Sequence, residues 1–276
     1  MTTQRQLLTA LIAVLAAALI SFVLTPVVKA LAPKFGFVDV PKDERRMHNH
    51  PIPTIGGLAI FVSFVLVSLF VCHLSRQFIG MLLGALVIVV LGVVDDKYDL
   101  NAKLKLVVQI LAAAIPVSQG VVIRYISHPF GFLGVPYLSL GVLAVPVTIC
   151  WIVAITNAVN FIDGLDGLSV GVCSISSLSM GIIALMLGQS NEAVILAALL
   201  GACLGFLPYN FNPAKIFMGD TGATFLGFML SCMAVSGLFK LYAVISFVVP
   251  ILVLGVPLFD ICFACIRRLC HHVSPM

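Results

Sequence analysis

Carboxylates and carboxamides gather at the ends of apolar runs in this chain, in patterns that could hold a phosphate through a divalent cation. The segment VVDDKYDLNAKLK, residues 93–105, sets Asp95 beside Asp96 and places Asp99 four residues past the first and three past the second. On a continuing helix all three turn toward one side. Two adjacent, partly buried carboxylates resist ionising together unless a cation lies between them, and Mg2+ favours such oxygens combined with substrate phosphates. The plainer reading is a solvated helix end neutralised by Lys97, Lys103 and Lys105.

A second group, NAVNFIDGLDGLS, repeats Asn157, Asn160, Asp163 and Asp166 at every third position, and each Asp precedes a glycine, Gly164 or Gly167. Glycine lets a chain leave a helix and approach a ligand, while amides and carboxylates supply oxygen ligands or hydrogen bonds to a sugar. Asp-Gly is also an ordinary turn, but four polar residues beside a bilayer are costly as turn filling. The third group, NFNPAKIFMGDTGATFLG, residues 210–227, sets Asp220 between Gly219 and Gly222. A helix starting there would offer free amides to a phosphate, and a lone Asp could complete a metal shell; an N-cap is the competing reading. The fourth, VDVPKDERRMHNHPIPTIGGLAIF, residues 38–61, is stiffened by Pro51 and Pro53 and slender at Gly56 and Gly57. Arg45, Arg46, His48 and His50 could neutralise phosphate, and a topological anchor explains the arginines equally well.

The elements that must carry these groups are membrane helices. The chain of 276 residues is 61% hydrophobic and only 9% charged, with mean hydropathy +1.19, whereas a soluble domain carries about 25% charged residues. The apolar runs approach the roughly 20 residues a helix needs to cross hydrocarbon. The fold class is therefore all-α and polytopic, with about nine transmembrane helices near residues 6–32, 55–74, 78–95, 104–118, 139–156, 165–187, 192–209, 222–238 and 240–268. The third and fourth are short enough to be tilted or broken. Residues 7–24 exceed a normal signal-peptide core and read as the first span. The eight cysteines lie mostly in apolar runs and imply no disulfide framework. Cys262 and Cys265 form a CxxC without a second pair, so a metal site there is disfavoured.

Assigning the connections alternately to the two sides puts Lys29, Lys34, Lys42, Arg45, Arg46, Lys97, Lys103, Lys105, Lys215, Arg267 and Arg268 on one side, against Arg5, Arg76, Arg124 and Lys240 on the other. The first side is cytoplasmic by the positive-inside rule. Every acid except Glu192 falls on it too. Asp and Glu barely influence orientation, so their gathering points to a polyanionic ligand held through a cation at that face.

Taken together the four groups resemble the polyprenyl-phosphate N-acetylhexosamine-1-phosphate transferase superfamily, from about Asp39 to Pro275. The family's paired Asp corresponds to Asp95 and Asp96, its Asn-x-x-Asn-x-x-Asp-Gly to Asn157 through Gly164, and its Met-Gly-Asp-x-Gly to Met218 through Gly222. An Arg-x-x-His-x-x-Pro-x-Pro-x-x-Gly-Gly loop marks the branch that initiates teichoic acid, enterobacterial common antigen or related surface polymers. Arg45, His48, Pro51, Pro53, Gly56 and Gly57 fit it. The branch making the peptidoglycan precursor from a nucleotide-linked muramoyl pentapeptide lacks that His and is the weaker match. The family continues past its Ser-Pro, here Ser274 and Pro275, with a His-rich loop and further helix. A single transmembrane domain over residues 1–276, truncated at its C-terminus, is therefore expected.

The resemblance implies a bacterial inner-membrane enzyme that takes UDP-N-acetylglucosamine, or another UDP-N-acetylhexosamine, and undecaprenyl or another polyprenyl phosphate. It gives the lipid diphosphate sugar and UMP. The cofactor expected is Mg2+, with Mn2+ as a substitute, held by Asp220, Asn160 and Asp163. Asp95 and Asp96 would organise the attacking phosphate, with Asp220 the third catalytic carboxylate. Asn157, Asn160, Asp163, His48, Arg45 and Lys103 would bind substrate. The bilayer is the expected surrounding, a homodimer is compatible with this reading, and no nucleic-acid partner is expected. The rivals are a muramoyl-pentapeptide transferase, a transporter, which would set acids near helix midpoints, a prenyltransferase, which would release diphosphate, and an inactive scaffold.

Overall fold

The computed structural model describes residues 3–39, 51–127 and 137–238, together with Gly255, Phe259, Phe263 and Arg267. Eight α-helices make up most of this: α1 (Thr3–Leu31), α2 (Gly57–Val71), α3 (Arg76–Tyr98), α4 (Ala102–Ser118), α5 (Ala144–Ile162), α6 (Leu168–Met186), α7 (Ser190–Asn210) and α8 (Gly219–Met233). A π-helical turn over Ala234–Leu238 follows α8. Five of the helical segments are long and apolar enough to cross a membrane, and α2 is a shorter apolar helix. The span expected at 240–268 falls almost wholly outside the described residues.

Helix α8 is the axis of the bundle. Its residues from Thr221 onward are buried, and α2, α3, α5 and α6 pack around it. A helix apolar on all sides has to be enclosed in this way. The longest helix, α1, packs along α7. Gly201 and Gly205, one turn apart on α7, abut the α1 backbone at Val14 and Ala18. Close approach of small residues is what drives association where lipid tails offer no hydrophobic contrast. The N-terminal apolar run is thus an integral part of the bundle.

Two helices run further than the apolar runs suggest. Helix α3 is one unbroken element through Tyr98, so Asp95 and Asp96 lie in its last turn. Helix α5 continues to Ile162, so Asn157 and Asn160 project from a helix and Asp163 closes it. Polar residues continue a helix when its opposite face remains buried, and Ala158, Val159 and Ile162 are buried here. Helix α4 starts soon after α3 ends, with Asn101 as N-cap accepting from the Lys103 amide at 2.9 Å.

A short ladder ties the first loop to the start of α8. Strand β1 (Val38–Asp39) pairs antiparallel with β2 (Ile52–Pro53), Val38 opposite Pro53. The chain after β2 then borrows the segment before α8: Phe217 donates its amide to Pro53 at 2.9 Å, and Gly56 and Gly57 donate to Phe217 and Met218 at 2.9 Å each. This pairing brings Gly57 against Gly222, with no room for a Cβ at Gly57. At the opposite end of the bundle, β3 (Tyr125–Ser127) and β4 (Tyr137–Ser139) form a second hairpin.

Gly92, one turn before Asp96, faces the Thr221 backbone so closely that a Cβ would overlap it. Gly92→Ala is expected to lower the thermal midpoint in detergent, the overpacking costing about 1–3 kcal/mol. Gly171→Ala on α6, where a Cβ meets nothing, should leave the midpoint unchanged or slightly raised, since Ala favours helix over Gly by about 1 kcal/mol.

Candidate active site

The close approach at Gly92 sets the last turn of α3 beneath the first turn of α8. Asp96 then caps α8 from another helix: its carboxylate accepts from the amides of Asp220 at 2.8 Å and Thr221 at 3.2 Å, and from the Thr221 hydroxyl at 2.6 Å. Gly219, at φ +73°, leaves space for that carboxylate where a Cβ would collide with it. The α8 N-terminus therefore satisfies two of its free amides with Asp96. Phosphate binding at those amides, expected from the sequence, does not fit this arrangement. Asp96→Ala is expected to cost about 1–3 kcal/mol of stability, the cap together with the buried donors left unpaired. Asp96→Asn, which keeps one acceptor oxygen, should cost less in the same thermal unfolding measurement.

Asp95 is buried and does two things. One oxygen accepts the Leu100 amide at 2.8 Å, closing the turn after α3. The other pairs with the Lys105 ammonium. That ammonium also lies 3.4 Å from Asp220 Oδ2, so one lysine on α4 links the carboxylates of α3 and α8. It is Lys105 and not Lys103 that reaches the site. Two residues rotate a helix by roughly 200°, and Lys103, in the first turn, is exposed. Lys105 shares its helix face with the buried Gln109, while Leu104, Val107 and Leu111 lie exposed. This i, i+4 polar pair on an otherwise apolar helix is the signal that could have singled out Lys105.

The motif on α5 divides in two. Asn157 is paired within the bundle: its amide donates to Gln109 Oε1 at 2.6 Å and to the Val153 carbonyl at 2.8 Å, and accepts from Gln109 Nε2 at 3.3 Å. Its place is a clasp between α4 and α5 rather than a free sugar contact. Asn160 is half-buried. Asp163, just past the end of α5, is half-buried as well. Burial, with the nearby Asp220 and Asp96 charges, holds its carboxyl well above the usual carboxylate range. Asp166 turns instead to the α7–α8 connection, accepting from the Ala214 amide at 2.9 Å and the Asn212 side chain at 3.2 Å.

Asp99 does not join Asp95 and Asp96. The helix stops at Tyr98, and Asp99 takes a left-handed conformation, φ 49°, as C-cap, leaving its side chain exposed. Arg45 and His48 lie outside the described residues; the strands flanking their segment, β1 and β2, are tied to the start of α8.

The arrangement thus sets Asp95, Asp96, Asp163 and Asp220 at one end of the bundle, with Lys105 bridging two of them. Such an excess of carboxylate fits a cation. Among the described residues, no three His, Cys, Asp or Glu side chains stand close enough to hold one unaided. Mg2+ sites commonly have this character, with one or two carboxylates and the remaining ligands from water and substrate phosphates.

Comparison with known proteins decides the family. Residues 78–238 match the model of glycosyl transferase family 4, more than half of the chain and the stretch carrying every acidic group just described. The chain belongs to glycosyl transferase family 4. Among its relatives it is 43% identical, over 248 residues, to the probable undecaprenyl-phosphate N-acetylglucosaminyl 1-phosphate transferase of Bacillus subtilis, covering 90% of this chain and 68% of that one. It is 35% identical to the decaprenyl-phosphate N-acetylglucosaminephosphotransferase of Mycolicibacterium smegmatis, covering 95% and 71% of the two chains. It is 32% identical to the undecaprenyl-phosphate alpha-N-acetylglucosaminyl 1-phosphate transferase of Salmonella typhi, covering 98% and 74%. Like its relatives, this family 4 member is a multi-pass membrane enzyme, which weakens the transporter and scaffold readings.

Proposed function

We propose that the protein transfers N-acetylglucosamine 1-phosphate from UDP-N-acetylglucosamine to a polyprenyl phosphate at the cytoplasmic face of the bacterial cell membrane, releasing UMP. The observation that carries this is the meeting of Asp95, Lys105 and Asp220, with Asp163 close by, at one end of a membrane bundle. A site at a helix end can receive a soluble nucleotide from water and a lipid phosphate from the headgroup layer. The likeness to relatives named for this reaction supports the same substrates, and the Arg45, His48, Pro51, Pro53, Gly56, Gly57 pattern supports the N-acetylglucosamine branch over the muramoyl-pentapeptide one.

In this reading an oxygen of the lipid phosphate attacks the β-phosphorus of the sugar nucleotide. The new bond is that O–P bond, and the bond broken joins the β-phosphorus to the oxygen bridging it to UMP. The second pKa of a phosphate monoester is about 6, so the nucleophile is mostly dianionic and needs little help from a base. A covalent route through an aspartate would need an unencumbered carboxylate; Asp96 has its oxygens committed to α8. Asp220, with Asn160 and Asp163, would hold Mg2+ or Mn2+, which when bound neutralises diphosphate charge and stabilises the leaving group. Lys105 moves its charge from Asp220 to a phosphate oxygen, and Asp95 keeps the ammonium within reach. Asp96 fixes the first turn of α8 and hence the direction of Asp220.

Membranes carrying the protein should convert labelled UDP-N-acetylglucosamine and polyprenyl phosphate to lipid-linked label, and should give none with the nucleotide-linked muramoyl pentapeptide. The reverse preference would overturn the substrate reading. Chelation of divalent cations should abolish turnover, with recovery on adding Mg2+ or Mn2+. The raised Asp163 carboxyl must lose its proton to take a cation. More cation should accordingly be needed for half-maximal rate as the pH is lowered, and a pH-independent requirement would exclude Asp163 as a ligand.

A further inference from the structure

The carboxylates assigned to the cation come from two connections that share no covalent neighbourhood. Asp163 opens the α5–α6 turn, residues 163–167, and Asp220 follows the α7–α8 connection, residues 211–218. Two loops at a membrane surface would drift relative to each other unless something joined them. Two side chains do so, each reaching from one connection into the backbone of the other.

Asn210, the last residue of α7, is 3% exposed. Its carbonyl oxygen accepts from the Gly167 amide at 3.2 Å, at the start of α6, and its amide donates to the Ile216 carbonyl at 3.1 Å. Asp166 works in the opposite direction, accepting from Ala214 at 2.9 Å and Asn212 at 3.2 Å. Between these bonds the α7–α8 connection is folded back on α7, with the Lys215 amide donating to the Tyr209 carbonyl at 2.8 Å. Gly167 takes φ +72°, a conformation strained for any residue with a side chain, as its amide donates to Asn210. A buried side chain such as Asn210, satisfied on both sides, fixes one geometry, because every alternative leaves a donor or acceptor unpaired.

We propose that Asn210 and Asp166 are positioning residues, a reciprocal latch that sets the separation of Asp163 and Asp220 and so the affinity of the site for its divalent cation. This rests on the proposed reading of Asp163 and Asp220 as cation ligands. Partners that orient ligands without touching the ion typically cost about 10–100-fold in metal affinity when removed. The latch is a hydrogen-bonded network, so its two halves are coupled: with one loosened, the other has less left to hold.

The test is the thermal unfolding midpoint of the full chain in detergent, followed against Mg2+ concentration, with the Mg2+ dependence of UMP release measured alongside. Asn210→Leu and Asp166→Ala should each raise the half-saturating Mg2+ concentration about tenfold or more in both readouts, with maximal rate at saturating Mg2+ changed much less. The double variant should fall short of the product of the single effects. Asp166→Asn, which retains an acceptor for the Ala214 amide, should recover most of the affinity. A purely structural role lowers the midpoint without Mg2+ and leaves the half-saturating concentration where it was; that outcome overturns the latch while leaving the proposed reaction standing. Should Asn210→Leu fail to fold, the half-exposed Asp166 pair of variants decides alone. A wild-type chain whose midpoint and turnover both ignore Mg2+ overturns the ligand assignment and the latch with it.

Discussion

Asp220→Asn is expected to leave a folded membrane protein whose cation-dependent UMP release is slower by about a thousandfold or more. Asn keeps the size of the side chain and an oxygen, and the backbone amide that Asp96 receives is untouched, so α8 should remain capped. What is lost is the negative charge beside Asp163 and opposite Lys105. Removing a single group that stabilises transition-state charge commonly costs about 100- to 1,000-fold, and a cation ligand adds its share of binding. Raising Mg2+ should recover only a small part of the rate. Normal turnover by this variant would remove Asp220 from the site.

Lys105→Met should be the second most damaging change, with a signature of its own. The ammonium pairs with a buried carboxylate, Asp95, and also faces Asp220. Its removal leaves uncompensated negative charge, and breaking one side of a buried pair costs about 3–5 kcal/mol; the partial exposure of Lys105 reduces that figure here. Stability and turnover should therefore both fall, turnover by about 100-fold. Adding Asp95→Asn to Lys105→Met should return much of the stability, since the buried charge is gone, and none of the turnover, since the ammonium is still missing. The cycle separates the two duties of Lys105. Recovery of turnover by the second substitution would show that the lysine serves only as a counter-ion. Lys103→Met, at an exposed position, should fall far short of either effect.

Much of the architecture is legible in the sequence because a bilayer leaves few choices. Apolar runs of near-spanning length become helices, and the order of the motifs along the chain matches the order in which α3, α5 and α8 bring them to one end. What resists reading is how each polar side chain is satisfied. Asp96 looks identical to Asp95 on paper, yet the absence of a Cβ at Gly92 and Gly219 lets Asp96 cap α8 while Asp95 turns to Lys105. Asn157 and Asn160 share a motif and a spacing, but Gln109 on a neighbouring helix claims the first. Asp99 would join its neighbours on a longer helix and instead ends it. Asp166, in step with Asp163 by sequence, belongs to the connection 46–48 residues further on. All of these but Asp99, whose amide closes locally on the Asp95 carbonyl, depend on a partner distant in the chain, and a periodicity within one segment carries no record of it.

The position of the carboxylates at helix ends also gives Lys105 its meaning. A lysine mid-bilayer would be costly, whereas one in the first turn of α4 can exchange carboxylates for phosphates at the membrane surface. Arg45 and His48 lie outside the described residues, and β2, which follows their segment, is anchored to the same α8 start.

The most direct measurement follows the β-phosphorus. With UDP-N-acetylglucosamine labelled at the β-phosphate and supplied with polyprenyl phosphate, the label should leave the water-soluble fraction and appear in a lipid diphosphate sugar. Unlabelled UMP should be released in equal amount, only when a divalent cation is present, and not from Asp220→Asn. Label that stays in soluble nucleotide, or emerges as free phosphate with no lipid product, would contradict the account.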